Sequence, residues 1–414
     1  MKIGLLVTLF FSGIAWLALV LFVPQAGQDK VWYRSGREYL SDYFMPRNTV
    51  AHANPYRETA HALAYSFRRG GKIEEHEGWD LQAHDRANPA GALLPLSWFG
   101  ESLEGARFCN VFMIGTFLLV LCACLCFSPR APHPLIFVPL LLSGPMIFAY
   151  ERGNPIWLAA AGTMLFLLFW DHPLERVRWL AAAGLAIAVS VKVMPAVLGV
   201  LYLAPVIFRM RDEGPTSLRT SLSDPVVCIV CGLIAFIAPW FYVAGFESFP
   251  DWWRTGHENV AYYAPRTMFG AVGLYRTVMI AFHSSWEGTV GFALARWANI
   301  LCGLAALGFS VWKSQRSRYA SVLLATAGLL LLGANMRPYA VLYLLPSFFL
   351  WLTERPAAFE SPIPNWLCVL LECCAWFVIW TPLQLPFGSV QLYPVANVGF
   401  LFLVLASVWR GGRI

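Results

Sequence analysis

Tyr150-Glu151-Arg152-Gly153-Asn154-Pro155 is a polar knot set between two apolar runs, Pro134 to Tyr150 and Pro155 to Trp170. Pro155 suits the first position of a helix and Asn154 suits its N-cap, so the knot reads as the tip of a helical hairpin. Arg152 has no part in that punctuation. Working outward, the same alternation of apolar run and polar break repeats along the chain. Further runs lie near Ile3 to Val23, Phe108 to Phe127, Trp179 to Val191, Met194 to Phe208 and Pro225 to Ala244. Beyond them come Gly291 to Val311, Tyr319 to Leu332, Tyr339 to Leu352, Trp366 to Trp380 and Pro394 to Val408.

Hydrophobic residues make up 58% of the chain and charged residues 13%, with a positive mean hydropathy, a composition typical of a multi-span membrane protein. The expectation is an all-α polytopic protein with about 12 transmembrane helices, several of them short of the usual length of roughly 17–25 residues. It forms one membrane domain over residues 1–414. Outside two long segments, 24–107 and 246–290, most Lys and Arg fall in every second break. Lys2, Arg130, Arg176, Arg178, Arg209, Arg211, Arg219, Lys313, Arg316, Arg318, Arg355, Arg410 and Arg413 share one side, which the positive-inside rule makes cytoplasmic. Both termini then face the cytoplasm, in a cell membrane. The first run is expected to stay as a span, because Val23-Pro24-Gln25-Ala26-Gly27 is a poor signal-peptide cleavage site. The net charge of +6 belongs to the cytoplasmic fringe and is not read as a nucleic-acid patch. Cys122, Cys124 and Cys126, two residues apart, scatter around a helix, which argues against a metal site.

Two extracytoplasmic segments are too long to be turns: residues 24–107 and 246–290. In the first, Tyr56 to Phe67 reads as a helix stopped by Gly70-Gly71, with Ala62, Tyr65 and Phe67 on its apolar side. The second carries Asp251-Trp252-Trp253-Arg254, aromatics that suit a headgroup interface and could equally stack on a sugar face.

Three cations defy the charge bias. Arg152, Lys192 and Arg337 fall in short outer turns where none is expected. An ammonium interrupting an apolar stretch, as Lys192 does, costs about 2.5–3.5 kcal/mol at mid-bilayer, so an anionic partner is expected. Each cation alone can snorkel to the interface; together they suit a phosphate, Arg supplying forked donors and Lys a point charge. A general base could come from Asp42, flanked by aromatics close to the first span, with Asp80, Asp85 and Glu151 as competing carboxylates. Glu372, inside an apolar run, is a functional suspect that could instead pair with another helix. The chain lacks a Gly-rich nucleotide fingerprint, a P-loop and a His-Glu zinc pair.

These residues resemble a family: the polyprenyl-phosphate-dependent membrane glycosyltransferases of the GT-C superfamily, in particular the glycosyltransferase 87 group. The resemblance runs from Ser41-Asp42-Tyr43 and Asn54-Pro55-Tyr56 through Glu151-Arg152-Gly153-Asn154-Pro155 to Val191-Lys192-Val193-Met194-Pro195. Weaker matches are Asn259 with Arg266, and Arg337-Pro338-Tyr339. It implies a hexosyltransferase, often a mannosyltransferase, taking sugar from a polyprenyl-phosphate donor to a lipid-linked or envelope glycan acceptor. Asp42 would be the base, Arg152, Lys192 and Arg337 would hold the donor phosphate, and Glu151, Asn154, Tyr56, Asn259 and Arg266 would support them. Neither a cofactor nor a metal is expected. The chain departs from the family at Ala87-Asn88-Pro89-Ala90-Gly91, where a Tyr-Pro-Pro step is frequent. A transporter or flippase, or a non-catalytic assembly subunit, is the rival class.

Overall fold

The computed structural model describes residues 43, 54–56, 61–67, 73–80, 88–127, 140, 143, 145–146, 149, 152–213, 218–263, 267–282, 284, 288–333, 338–354, 364–380, 385–387, 390–392 and 394–409. The fold is helical. The chain divides into two compact units. A central unit holds Gln25–Phe127 and Ile147–Tyr263; a terminal unit holds Met1–Pro24, Ser128–Met146 and Ala264–Ile414. By length and composition, Leu103–Phe127, Ser223–Ala244 and Val290–Lys313 could cross a membrane, and six shorter apolar helices accompany them. Several runs of the expected dozen spans are those shorter helices, and others lie outside the described residues.

In the central unit, strands β1 (His61–Phe67) and β2 (Ile73–Asp80) pair antiparallel, His61 opposite Asp80 and Phe67 opposite Ile73. This corrects the helix expected over Tyr56 to Phe67. Leu63, Tyr65 and Phe67 alternate with period two, and Gly70-Gly71 stands between two strands instead of closing a helix. Helices in order are α1 (Ala90–Ser97), α2 (Leu103–Phe127), α3 (Ile156–Phe169) and α4 (Glu175–Val191). A 3₁₀ segment, Met194–Tyr202, leads into α5 (Leu203–Glu213), followed by α6 (Leu218–Pro239) and α7 (Phe249–Tyr263). Among the described residues of the first long outer segment, Tyr43, α1 and the first turn of α2 are helical while β1 and β2 are not.

α3 is buried nearly all round, as expected of a helix apolar on every face, and forms the centre of this unit. It packs on α4 as a hairpin, and α4 packs in turn on α6. Gly162 and Gly184 set the closeness of the hairpin: a Cβ on Gly162 would collide with the Gly184 carbonyl, so the backbones touch where small residues face each other. Cys122 and Cys126 are exposed on α2 while Cys124 is buried, the scatter that their spacing predicts.

The terminal unit contains α8 (Gly270–Ala281), α9 (Val290–Lys313), α10 (Arg318–Leu332), α11 (Leu345–Thr353), α12 (Asn365–Trp380) and α13 (Pro394–Trp409). Strands β3 (Leu385–Phe387) and β4 (Val390–Leu392) form a second small hairpin. α8 lies in the second outer segment and was not read as a helix from sequence. Its start is clamped by two asparagines from neighbouring helices. Asn397 accepts from Gly270 N at 2.8 Å and donates to Gly270 O at 2.9 Å, while Asn299 accepts from Ala271 N at 2.6 Å and donates to Phe269 O at 3.0 Å. These amides satisfy first-turn N–H groups that a helix cannot satisfy itself.

Candidate functional site: a cationic hairpin end

The α3–α4 hairpin places Arg152 and Lys192 at the same end. From the Gly162–Gly184 contact, α3 runs back six residues to its start at Ile156 and α4 runs on seven to its last residue, Val191, so the two tips are level within about 2 Å at 1.5 Å per residue. On the α3 side the turn is built by Gly153, at φ 62°, and by buried Asn154, whose Oδ1 accepts from Ile156 N at 2.9 Å. The cap expected of Asn154 is therefore present. Arg152 precedes this turn and is partly buried. On the α4 side the chain leaves the helix at Lys192, which is extended at φ −141° and ψ 116° while its N–H still reaches Ala188 O at 2.8 Å. Met194 and Pro195 then open the 3₁₀ segment.

Lys192 is held from the first long outer segment. Its Nζ donates to Asn88 Oδ1 at 3.1 Å. Asn88 comes within reach because α1 packs against the last turn of α4, where Gly91 meets the backbone of Ser190 so closely that no Cβ fits. Asn88 also precedes Pro89, the extended residue at the start of α1, and no side chain caps that start. The N-terminus of α1, with its partial positive charge, thus begins two residues past the Asn88 amide that holds the Lys192 ammonium.

Tyr56 fixes Asn88 from behind. Its hydroxyl donates to Asn88 O at 2.9 Å, and its ring packs on Trp240 with centroids 5.5 Å apart. Tyr56 is 1% exposed, and this burial pushes its hydroxyl pKa well above the ordinary value, so it acts as a neutral donor. The turn before it is tied down by Asn54, which accepts from Tyr56 N at 3.1 Å and donates to Asp251 Oδ2 of α7 at 2.9 Å. Asp251 pairs in addition with Arg254 at 3.1 Å. A continuous polar chain therefore runs from Lys192 through Asn88, Tyr56 and Asn54 to Asp251. It fixes the Lys192 ammonium through the amide of Asn88, a geometry that can serve recognition of an anion.

Of the residues singled out in sequence, Tyr56 and Lys192 join through Asn88, and Arg152 and Asn154 stand at the same hairpin end. Asn259 is on α7, eight residues past Asp251, about 12 Å along the axis. Asp42, Glu151, Arg266 and Arg337 lie outside the described residues. Tyr43, next to Asp42, is buried and donates to Gly100 O just past α1 at 2.6 Å. Thr267, next to Arg266, donates to Gly333 O at 3.5 Å in the terminal unit. Glu372 is fully buried and accepts from Trp351 Nε1 at 2.9 Å, a bond that joins α12 to α11.

Asn88 and Asp251 were missed in the sequence. Asn before Pro was a legible helix-start signal, whereas Asp251 was an ordinary first-turn acid with nothing to mark its partner. No protein-family model matches the chain, and neither the curated proteins nor the solved structures include a match.

Proposed function

We propose that this protein is a polytopic membrane glycosyltransferase of the GT-C type, with about 12 spans and both termini cytoplasmic. It transfers a hexose, such as mannose, from a polyprenyl-phosphate donor to a lipid-linked or envelope glycan acceptor outside the cytoplasm. The observation that carries the reading is the Lys192–Asn88–Tyr56 chain at the Arg152 end of the hairpin. The Lys192 ammonium and the start of α1 lie together there, and Arg152 precedes the turn at the same end of the hairpin. Such a set stabilises charge developing on a departing phosphate.

In this reading Asp42 takes the proton from the acceptor hydroxyl as its oxygen attacks the anomeric carbon. The bond from that carbon to the phosphate oxygen breaks with inversion, and the electron pair leaves on the polyprenyl phosphate. Lys192 and Arg152 offset the new charge. Arg337 is carried here by the resemblance alone. The opposite end of the hairpin supports the orientation: Arg176 and Arg178, expected on the cytoplasmic side, stand at the start of α4 and Lys192 at its end.

The test is transfer of radiolabelled hexose from a synthetic polyprenyl-phosphate donor by the purified full chain in nanodiscs. Activity lost in Asp42→Asn and in Lys192→Ala, with both proteins folded, supports the reading. Unchanged turnover in both variants overturns it.

A further inference from the structure

The 3₁₀ turn Phe246–Ser248 and α7, which follows it directly and carries Asp251, present three distinct faces. Ser248, Trp252 and Thr255 are buried in one stripe, continued by partly buried Asn259. Glu247, Asp251, Arg254 and Glu258 form a charged stripe beside it. The third stripe, Phe246, Pro250, Trp253, His257 and Val260, is exposed along its whole length and mostly apolar. Steps of four and three residues keep each set on one line of a helix, with the charged line about 100° from each of the other two and those two about 160° apart. Protein core, water and an apolar medium would each take one face.

The exposed aromatics continue onto the π-helical turn Trp240–Ala244 that prolongs α6. Phe241 (72% exposed) stacks on Phe246 at 5.8 Å and 14°, Phe246 stacks on Phe249 at 5.8 Å and 12°, and Trp253 is 57% exposed. Below them Val226, Ile229, Val230, Leu233 and Ile234 form an exposed apolar face on a helix long enough to cross a membrane. Between the two helices the chain turns at Gly245, φ 70°. The charged stripe holds three acids and one base, so attraction to anionic headgroups does not drive contact.

We infer that α7 lies in the headgroup region of a phospholipid bilayer, with the Phe246–Pro250–Trp253–Val260 stripe against the acyl boundary. The inference rests on reading α6 as a membrane span, and it goes beyond the proposed transferase activity. Because Asp251 holds Asn54 and Trp240 packs on Tyr56, it also fixes the Lys192 site at headgroup depth, where a lipid-linked phosphate sits.

The test places p-benzoylphenylalanine at Phe246, Trp253, Arg254 or Ile229 of the full chain in nanodiscs of zwitterionic phosphatidylcholine. After irradiation, lipid adducts are read by mass spectrometry. Adducts at 246 and 253 are expected within about threefold of position 229 and at least about tenfold above position 254. Labelling at 229 without labelling at 246 and 253, or equal labelling at 253 and 254, overturns the inference. Capture of an added oligosaccharide at 253 in place of lipid overturns it too, in favour of a glycan platform. No adduct even at 229 removes the span reading and the inference with it. Loss of transferase activity alone moves none of these readouts.

Discussion

One hairpin in the central unit ends in two different ways. At the end where α4 starts, Arg178 Nε meets Asp224 Oδ2 of α6 at 2.6 Å and its Nη1 donates to His172 O at 3.1 Å. Charge faces opposite charge, and the guanidinium is further fixed by backbone. At the other end, Lys192 meets the neutral amide of Asn88 at 3.1 Å, across a gap of 104 residues in sequence. The first contact is a lock between helices. The second holds a cation through a neutral amide, an arrangement that in the proposed transferase would serve an incoming anion.

The comparison is broken most severely at Lys192. In the proposed transferase, replacing it with Ala removes the ammonium that would face the departing phosphate, and transfer should fall about 10²- to 10³-fold, the usual loss for one preorganised donor. Thermal unfolding in detergent, followed by tryptophan fluorescence, should shift little. A large drop in melting temperature with the residual activity per folded molecule unchanged would make Lys192 a structural residue like Arg178.

The opposite end should respond in the opposite way. Arg178→Ala leaves Asp224 half-buried without its cation and should cost about 2–3 kcal/mol of stability. Turnover of the molecules that remain folded should stay near wild type. If activity falls as steeply as in Lys192→Ala while stability holds, the division of labour between the ends is wrong.

Asn88→Asp converts one end into a copy of the other. The new carboxylate would pair with Lys192, neutralise it and compete with the donor phosphate. Stability should hold or rise slightly, whereas KM for the donor should rise about tenfold, equal to about 1.4 kcal/mol of lost binding. An unchanged KM would show that the ammonium does not meet the donor.

How much of this could be read in advance depended on whether each role was local. The Asn154 cap was legible because cap, turn and helix start lie within three residues. Lys192 was legible because it interrupts an apolar run, an energetic anomaly that needs no partner to be noticed. Asn88 was not, because its role depends on Gly91 letting α1 reach Ser190, a contact between distant segments. The same holds for Asp251, which meets Asn54 across 197 residues. The β1 strand was misread for a different reason: its alanines favour a helix, while the alternation of Leu63, Tyr65 and Phe67 marks a strand, and pairing with β2 decided between them. α8 was hidden because Arg276 and Tyr275 dilute its apolar pattern within a segment already read as loop.

The smallest effect tests the support behind Asn88. Tyr56→Phe deletes the hydroxyl that donates to Asn88 O and should cost about 1 kcal/mol at neutral pH. The pH dependence of that difference gives the sharper reading. Tyr56 is neutral in the folded state and its pKa there is raised, whereas in the unfolded chain it ionises near its model value of 10.0. Above that pH the unfolded state binds fewer protons than the folded one, so the stability of the wild type must fall as pH rises. The phenylalanine variant carries no such dependence at position 56. Stability lost at about 1.36 kcal/mol per pH unit would erase an advantage of about 1 kcal/mol within roughly one unit above pH 10. The two unfolding curves should therefore converge in that window and stay apart below it. A gap that remains constant up to pH 11 or so would mean that Tyr56 ionises in place, and the neutral hydroxyl could not be what holds Asn88 to Lys192.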